Sequence, residues 1–266
     1  MPEKGFKRYI KLFENIHNPG EYLFNKSKRN ERPLRFTTRP NPITFNVPES
    51  LYQVFKEIFM EDVYSIAGLV KKLPSNPVVI DIGANAGFFN ILLLSKIKSA
   101  RIFAYEPLPS NTHFFDRVIN ENKALSGQVQ LTQAAVTGTE KESIDLFMED
   151  TADNQVVASV FEGFNKDNLK RTNVPCISLS KIVSTHQLKS IDLLKVDCEG
   201  SEYDILYNTP PAIVQLAKHI AIEVHDVDKQ KNNFPALSNY LQSLGFRVSA
   251  TPINNFCYAV DAIKIN

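Results

Sequence analysis

The last two apolar segments of the sequence constrain its fold more than any other feature. They are GFRVSAT at 245–251 and FCYAVDAIKIN at 256–266, and only residues 252–255 separate them. Four residues are too few for a helical crossover, so we expect the two strands to pair antiparallel. In a sheet that is otherwise parallel, this hairpin would contribute one reversed strand near the edge.

Residues 78–244 alternate between short apolar segments and segments with helical periodicity. The predicted strands lie at 78–82, 101–105, 129–135, 142–148 and 156–160, within 191–200, and at 219–226, and the predicted helices are 88–97, 110–125, 201–209 and 234–244. The strands at 142–148 and 156–160 are expected to pair with each other as a hairpin. Ser110 is the predicted N-cap of the second helix. Such alternation, closed by a hairpin, predicts an α/β protein with a doubly wound, mostly parallel sheet.

The beginning of the chain has a different character, because it is rich in proline and lacks the alternation. Short strands are predicted at 34–38 and 43–47, and helical spacing of apolar residues predicts a helix over 49–73. We therefore predict an N-terminal extension at 1–75, with an acceptor-binding or interface role, and a main domain at 76–266.

Positive charge is concentrated at the start of the sequence. Residues 1–39 carry ten Lys and Arg against four Glu, a balance of +6, whereas the whole chain has a net charge of +1. Phe6, Ile10 and Phe13 recur among these basic residues, and such a segment is suited to an anionic membrane surface or to a glycan-assembly partner. A solvated arm that packs on the body is the simpler interpretation. The near-neutral total argues against a nucleic-acid partner.

Cysteine usage and hydropathy indicate a cytoplasmic protein. The three cysteines, Cys176, Cys198 and Cys257, fit neither a disulfide framework nor a CxxC metal site, which favours a reducing compartment. No apolar stretch approaches the roughly 18 residues that a membrane span requires. The first residues also lack the apolar region of a secretion signal.

The segment DIGANAGFF at 81–89 follows the first predicted strand of the main domain and predicts a ligand-binding loop. Gly83, Asn85 and Gly87 tolerate left-handed backbone, so the loop is expected to bring its N–H groups against a ligand. A dinucleotide fold prefers G-x-G-x-x-G, and the preceding Asp81 would repel a diphosphate. The alternative is that the glycines only cap a turn.

Carboxylates recur where the predicted strands end. Asp81 ends the first of these strands, Glu106 the second and Asp197 the fourth, and Glu223 with His225 ends the fifth. The carboxyl ends of parallel strands form the ligand-binding edge of such sheets. An acid in the position of Glu106 is suited to both hydroxyls of a ribose. Together with the loop, this favours S-adenosylmethionine, which carries a ribose, an ammonium and a sulfonium but no phosphate.

These segments resemble the FkbM-type family of S-adenosylmethionine-dependent methyltransferases. The resemblance rests on VVIDIGANAGFF, IFAYEPLPSN, LLKVDCEGSEYDIL and IAIEVHD, is weaker in EIFMEDVY, and covers about residues 78–266. The third segment is the most specific, although Ser201 stands where alanine is common. The resemblance implies a seven-stranded Rossmann-like sheet and transfer of a methyl group to a hydroxyl of a sugar, glycolipid or secondary metabolite.

The resemblance also assigns roles to individual residues. It implies that the cofactor-binding residues are Asp81, Gly83, Ala84, Asn85, Gly87, Glu106 and Asn111. Asp197, Glu199 and Glu202 would face the side of methyl transfer. Of the catalytic candidates Asp197, Glu199 and His225, we expect Asp197 to be the base or to orient the acceptor, and His225 to be a second base or a hydrogen-bond partner. Helix capping by Asp197 and a surface position for His225 stay open.

Other functions fit parts of the same pattern. Glu199 and Glu202 with Asp197 and His225 would suit a hard divalent metal ion, but helix capping is the favoured explanation of that acidic cluster, so no metal site is predicted. A nicotinamide-dependent oxidoreductase is disfavoured by the glycine spacing. A non-catalytic partner subunit and methyl transfer to nitrogen stay open, because the sequence specifies the donor better than the acceptor.

Overall fold

A seven-stranded sheet forms the centre of the computed structural model, which describes residues 3, 5–28, 31–148, 159–160 and 170–265. The α-helices are α1 (Lys7–Asn15), α2 (Gly20–Asn25), α3 (Tyr52–Phe59), α4 (Ile66–Val70), α5 (Phe88–Lys96), α6 (Pro109–Glu121), α7 (Leu179–Thr185), α8 (Glu202–Asn208), α9 (Pro211–Val214) and α10 (Phe234–Ser243). Short 3-10 helices cover Lys26–Lys28 and Glu49–Leu51. The strands are β1 (Leu34–Thr37), β2 (Thr44–Val47), β3 (Val78–Ile82), β4 (Arg101–Tyr105), β5 (Val129–Thr132), β6 (Ala135–Thr137), β7 (Ser143–Met148), β8 (Lys170–Ser178), β9 (Leu193–Val196), β10 (His219–His225), β11 (Phe246–Pro252) and β12 (Cys257–Lys264).

The strand order in the large sheet is β11-β12-β10-β9-β3-β4-β5. Strands β3, β4, β5, β9 and β10 pair in parallel, whereas β12 pairs antiparallel with both β10 and β11. The predicted doubly wound sheet with a reversed strand in the final hairpin is therefore confirmed. The order runs outward from β3 in one direction and from β9 in the other, so the topological switch point, where such folds bind ligands, lies between these two strands.

The predicted strand at 129–135 is wrong in extent, because the chain changes sheets within it. Strand β5 pairs with β4, and β6 pairs instead with β8 in a separate three-stranded sheet of order β6-β8-β7. Residues 133 and 134 make the turn between them, with the Ala134 N–H bonded to the Thr132 carbonyl. The local hydrophobic pattern continues across this turn and does not reveal it.

The partner of β7 also differs from the predicted hairpin. Strand β7 pairs antiparallel with β8, a nine-residue strand that the sequence analysis did not predict. The predicted strand at 156–160 falls mostly outside the described residues. Its described part includes Ser159, which forms an isolated antiparallel bridge with Phe147.

Near the N-terminus, the two predicted short strands are confirmed as the β1–β2 hairpin, but the helix predicted at 49–73 is interrupted. Helix α3 ends at Phe59 and α4 begins at Ile66. Between them Asp62 and Ser65 adopt left-handed backbone with φ of 51° and 49°, and the Asp62 carboxylate accepts the Ile66 N–H. Side-chain bonds of this kind compete with helix continuation, and the apolar spacing does not report them.

Helix α6 begins one residue before the predicted N-cap. Leu108 is the N-cap and Pro109 is the first helical residue, so Ser110 lies inside the first turn. Proline is well suited to this position, because its fixed φ matches the helix and the first N–H of a helix has no partner within it.

The N-terminal residues and the sheet share one hydrophobic core. Phe36 stacks on Phe55 with ring centroids 4.3 Å apart, and Phe45 packs at 5.5 Å from Phe88, the first residue of α5. A second core fills the opposite face of the sheet and includes Ile80, Leu194 and Ile220. The boundary at residue 75 stays a prediction. In the part of the chain that the structure describes, no helix has both the length and the apolar character to cross a bilayer.

Candidate functional site

A cleft opens at the switch point between β3 and β9, with about 1040 Å³ of empty volume including its open mouth. The predicted site residues that line it are Gly83, Ala84, Asn85, Glu106, Asn111, Asp197 and Glu199. Asp81, Gly87 and His225 are not among the lining residues that the structure describes. The strand ends therefore bring most of the predicted residues to one cleft, and the other three lie beside or beneath it.

The N–H groups of the glycine loop donate to other groups of the protein, contrary to the expectation that they face a ligand. The N–H groups of Gly83 and Ala84 both donate to the Tyr105 carbonyl, and that of Gly87 donates to Ala84. The Asn85 N–H donates to Glu106 Oε2 at 2.9 Å. The loop therefore presents a saturated backbone, and its wall of the cleft is formed by the loop surface and by the Glu106 carboxyl.

Close packing explains the two glycines. Both have positive φ, 75° at Gly83 and 74° at Gly87. A Cβ atom at position 83 would lie 1.7 Å from the Asp197 carbonyl oxygen, and one at position 87 would lie 2.1 Å from the Phe115 ring. Gly83 thus lets the loop after β3 touch the loop after β9, and Gly83 and Asp197 both line the cleft.

Asp81 is fully buried and pairs with Lys195, a residue that lines the cleft. Its Oδ1 lies 3.1 Å from Lys195 Nζ, and Asn90 donates to its Oδ2 at 2.7 Å. Lys195 Nζ also donates to the Gly83 carbonyl at 2.7 Å and lies 3.4 Å from Asp197 Oδ2. Burial opposes the charge on Lys195, but the Asp81 and Asp197 carboxylates outweigh it and raise the pKa of the ammonium. The predicted direct contact of Asp81 with a ligand is thus replaced by an ion pair.

Glu106 presents a buried carboxyl group at the end of β4. Oε1 accepts the Leu108 N–H at 3.1 Å and an Asn111 amide N–H at 3.4 Å, while Oε2 accepts the Asn85 N–H. Burial raises the pKa of Glu106 to about 7, although these hydrogen bonds favour the ionised form. The carboxyl is fixed in place and lies beside the cleft, as a hydroxyl-binding group requires.

The remaining walls are apolar on one side and acidic on the other. Leu108, Ala135, Val136, Ile144 and Leu146 line the side next to Glu106. Glu57, Asp197, Glu199 and Glu223 line the other side. Among the described lining residues Lys195 is the only lysine or arginine, and it is already paired with carboxylates. The cleft therefore suits a ligand with a flat apolar group and positive charge, and it offers little to a diphosphate.

Asp197 lies in the cleft with one oxygen held by two donors. The Tyr64 hydroxyl donates a short hydrogen bond to Oδ2, and Lys195 Nζ lies near the same oxygen. The side chain is 25% exposed. Burial and the adjacent carboxylate raise the pKa of Tyr64, so its phenol stays protonated and donates. Oδ1 is the oxygen left for an acceptor.

His225 stands among carboxylates next to the cleft. Nδ1 lies 3.0 Å from Glu202 Oε1, and Nε2 lies 3.4 Å from Glu199 Oε2 and 3.5 Å from Glu223 Oε1. Burial alone would lower the pKa of His225, but hydrogen bonds to Cys257, Glu202 and Glu223 raise it. The surrounding carboxylates favour the protonated imidazole, so the hydrogen-bond alternative describes His225 better than the predicted second base. Glu202 is fully buried behind it and does not line the cleft.

A known family model matches the part of the chain that contains most of these site residues. The model of the methyltransferase FkbM domain matches residues 81–248, well over half of the chain. The chain belongs to this family. The match begins at Asp81 and includes the glycine loop, Glu106, Asp197 and His225, and it ends within β11.

Individual relatives of this FkbM-domain chain are distant. It is 27% identical to the AMB antimetabolite synthetase AmbE of Pseudomonas aeruginosa over 77% of its own length, but it spans only 11% of that protein. It is 28% identical to the methyltransferase sdnD of Sordaria araneosa, covering 74% of this chain and 82% of the relative. It is 25% identical to 31-O-demethyl-FK506 methyltransferase FkbM of Streptomyces tacrolimicus, again over 74% of this chain and 82% of the relative.

Several cleft residues of this FkbM-domain chain were not predicted from the sequence. Glu57 and Tyr64 come from the end of α3 and the segment after it, which precede the matched region. Burial raises the pKa of Glu57 to about 7. Lys195 lies within a strand whose other residues are apolar. A single charged residue in such a strand indicates a buried ion pair, and this signal was overlooked. Cys257 does not line the cleft but contacts Glu223, which does, and its position follows only from the pairing of β12 with β10.

Proposed function

We propose that the protein transfers a methyl group from S-adenosylmethionine to a hydroxyl group of a small acceptor. The observation that carries this proposal is that Glu106 and Asp197 line the same cleft from β4 and β9, on either side of β3. Two strand spacings separate them, about 10 Å. That span matches a ligand whose ribose is held at one end and whose reactive carbon faces an acid at the other.

The cleft residues fit this cofactor. Glu106 would accept the ribose hydroxyls with Asn111 beside it, and the apolar wall that includes Leu108 and Val136 would cover the adenine. The acidic wall offsets the positive ammonium and sulfonium groups. Bound in this way, S-adenosylmethionine supplies an activated methyl group that needs no further chemistry from the protein.

The protein's own task is to align the acceptor and to accept its proton. We assign this proton to Asp197 Oδ1, because Tyr64 and Lys195 fix the other oxygen and hold the carboxylate in one orientation. Alignment of two reactants supplies up to about 7–11 kcal/mol, and a positioned base about 10²–10⁴ in rate. Glu199 lines the same wall and would orient the acceptor.

A hydroxyl acceptor is favoured over a nitrogen acceptor because one relative is a 31-O-demethyl-FK506 methyltransferase, which acts on an oxygen. We propose a sugar, glycolipid or secondary metabolite with several hydroxyl groups. The acceptor would enter on the side of Glu57 and Tyr64, which the N-terminal residues contribute to the cleft. These residues would thus influence the choice of acceptor.

We also propose that the basic N-terminal segment brings the enzyme to its acceptor at an anionic membrane surface. Helix α1 and residues near it expose five large apolar side chains, Phe6, Ile10, Phe13, Leu23 and Phe24. Lys7, Lys11 and Lys26 lie in the same part of the chain. Apolar side chains next to positive charge are suited to the boundary between lipid headgroups and acyl chains.

The proposed reaction is tested with S-adenosylmethionine that carries a labelled methyl group. Label should reach a pool of hydroxylated acceptors with the unchanged protein. Asp197→Asn should reduce the transfer by about 10²–10⁴ and leave cofactor affinity, measured by titration calorimetry, within a few-fold. Asp116→Asn, on the exposed face of α6, is the matched control and should transfer normally.

Three outcomes would contradict the proposal. Failure to bind S-adenosylmethionine at millimolar concentration, together with binding of NADH, would indicate the oxidoreductase alternative. Tight binding of S-adenosylmethionine without transfer to any hydroxyl or amine would indicate a non-catalytic partner subunit. Transfer to amines alone would replace the hydroxyl acceptor by nitrogen.

A further inference from the structure

Three different metal-ligand side chains meet at the acidic side of the cleft. They are Glu223 and His225 on β10 and Cys257 on β12, and their ligand atoms all lie within 4.8 Å of one another. We propose that these three residues bind a divalent transition-metal ion of the zinc class. A carboxylate, an imidazole and a thiolate are together a typical ligand set for such a borderline-soft ion.

The strand pairing explains why the three side chains converge. Glu223 and His225 are two residues apart on β10, so they point to the same face of the sheet. Cys257 is directly paired with His225 in the antiparallel ladder between β12 and β10, which places it on that face too. The reversed strand of the final hairpin thus completes a ligand set that β10 alone lacks.

The measured separations match the spacing of ligands around a metal. Cys257 Sγ lies 3.2 Å from Glu223 Oε1, and His225 Nε2 lies 3.5 Å from the same oxygen. Ligands at about 2.0–2.3 Å from a tetrahedral zinc ion lie roughly 3.3–3.7 Å from one another. The site therefore requires only small side-chain shifts to accept the ion.

A buried carboxylate orients the histidine for this role. Glu202 Oε1 lies 3.0 Å from His225 Nδ1, and Glu202 is fully buried. A proton on Nδ1, donated to Glu202, leaves Nε2 to bind the metal, as in the carboxylate–histidine pairs of known metal sites. Glu202 Oε2 has no hydrogen-bond partner among the described residues, an unusual state for a buried oxygen.

The proposed site has three protein ligands and an open position. Glutamate and thiolate carry two negative charges, which balance a divalent ion. Glu223 lines the cleft, and so does Glu199, whose Oε2 lies 3.4 Å from His225 Nε2. Three protein ligands with an exchangeable fourth are typical of catalytic zinc sites. This part of the inference rests on the proposed function, since the fourth position faces the space that the function assigns to the acceptor hydroxyl.

This ligand set differs from the metal alternative weighed in the sequence analysis. That alternative grouped Asp197, Glu199 and Glu202 with His225 around a hard ion. In the structure Asp197 pairs with Lys195 and Tyr64, and Glu202 stands behind the histidine. The ligand set proposed here contains the thiol of Cys257 instead, and a sulfur ligand favours zinc over a hard ion.

Cobalt(II) alone is the probe, because a thiolate ligand gives it a charge-transfer absorption in the near ultraviolet. The full chain is first treated with a chelator and then titrated. We expect the band with the unchanged protein and with Cys176→Ser, a control at a cysteine of β8 far from the ligand set in sequence and strand pairing. We expect Cys257→Ser to lose it. Circular dichroism verifies that each variant is folded.

Two further measurements sharpen the test. Glu202→Gln should keep the band and weaken the affinity for cobalt by about 10- to 100-fold, the usual effect of losing an outer-shell carboxylate. Binding of either ion to the chelator-treated protein should release protons, because the ligands bind in deprotonated form, and zinc should then displace cobalt without further release. A folded protein without the band, or a band that persists in Cys257→Ser, would overturn the proposal.

Failure of the metal site and failure of the methyltransferase assignment give separate results. Cobalt titration reports the ligand set without any cofactor, whereas calorimetry with S-adenosylmethionine reports the Glu106 side of the cleft. Methyl transfer without the cobalt band would overturn the metal site only. The cobalt band without binding of S-adenosylmethionine would support the metal site and overturn the proposed reaction.

Discussion

At the scale of single residues, the Glu106 carboxyl group changes its charge near neutral pH. Its carboxyl is 5% exposed and burial raises its pKa to about 7. Because the pKa is raised on folding, the residue contributes stability that is fully present below its unfolded value and is lost as the pH rises through about 7. Above this pH the free protein holds a buried, ionised carboxylate, which lowers its stability. Two ribose hydroxyls would donate hydrogen bonds to this carboxylate, so ligand binding would offset the loss.

This leads to a prediction for cofactor binding. Affinity for S-adenosylmethionine should rise between about pH 6 and pH 8, because the ionised carboxyl accepts more hydrogen bonds than the protonated one. Glu106→Gln should bind at least about tenfold more weakly, as loss of a charged hydrogen-bond acceptor implies, and its affinity should depend little on pH. Calorimetry at several pH values measures both. Equal pH dependence in the two proteins would contradict the role of Glu106.

Tyr64 provides a second prediction at this scale. Tyr64→Phe removes the hydrogen bond to Asp197 and keeps the edge-on ring packing against Phe89. A hydrogen bond to a charged group contributes about 1.5–3 kcal/mol, so kcat should fall by about 10- to 100-fold. Cofactor affinity should change little, because the phenol lies on the side of the cleft that we propose for the acceptor. A variant with normal kcat would show that Asp197 needs no such support.

Only some of these residues were predictable. Glu106 and Asp197 were identified because an acid at the end of an apolar strand has few structural explanations. The burial of Asp81 was missed, since its partner Lys195 is distant in sequence and joins it only through the β3–β9 pairing. Tyr64 follows an interrupted helix, and no local pattern connects it with Asp197.

At the scale of secondary-structure elements, the loops after β3 and β9 touch so closely at Gly83 that no side chain fits between them. The sequence correctly predicted β3 and β4, because compact apolar segments flanked by polar residues specify short buried strands. It did not predict why the loop needs glycine. The reason lies in the carbonyl of Asp197, which belongs to a different strand end.

Gly83→Ala is therefore expected to destabilise the protein strongly. The added Cβ would meet backbone at 1.7 Å while φ stays at 75°, so both strain and overlap act. We expect a loss of more than about 3 kcal/mol in the free energy of unfolding, above the usual cost of left-handed strain alone. Gly127→Ala is the matched control. Gly127 has φ of 80°, and a Cβ atom added there would meet open space, so the substitution should lower the free energy of unfolding by only about 1 kcal/mol. Urea denaturation compares the two, and equal losses would contradict the packing explanation.

At the scale of the whole molecule, the N-terminal residues connect the cleft with an exposed apolar surface. Charge counting identified the basic start of the chain, and the structure adds that Phe6 and Phe24 are 79% and 80% exposed. The shared core between this part and the sheet was not predictable, since it depends on which rings stack across distant elements. Local composition suggested a separate appendage instead.

The membrane proposal is tested by sedimentation with lipid vesicles. The protein should bind vesicles that contain anionic phospholipid and not neutral ones, and binding should fall with added salt. Phe6→Ser combined with Phe24→Ser should abolish binding while the thermal midpoint stays unchanged, because both rings are exposed. Phe256→Ser, 69% exposed at the final hairpin, is the control. Equal binding by the two variants would argue against this surface.

The stacked phenylalanines beneath the cleft have a consequence for how the molecule tolerates damage. Phe55 and Phe59 belong to the same helix as Glu57, which lines the cleft, and their rings pack against Phe45 of β2 and Phe88 of α5. Deletion of the first 75 residues would thus remove one wall of the cleft together with the phenylalanine rings that support it. A chimera that takes this part of the chain from a relative should therefore also take the residues whose rings pack against it.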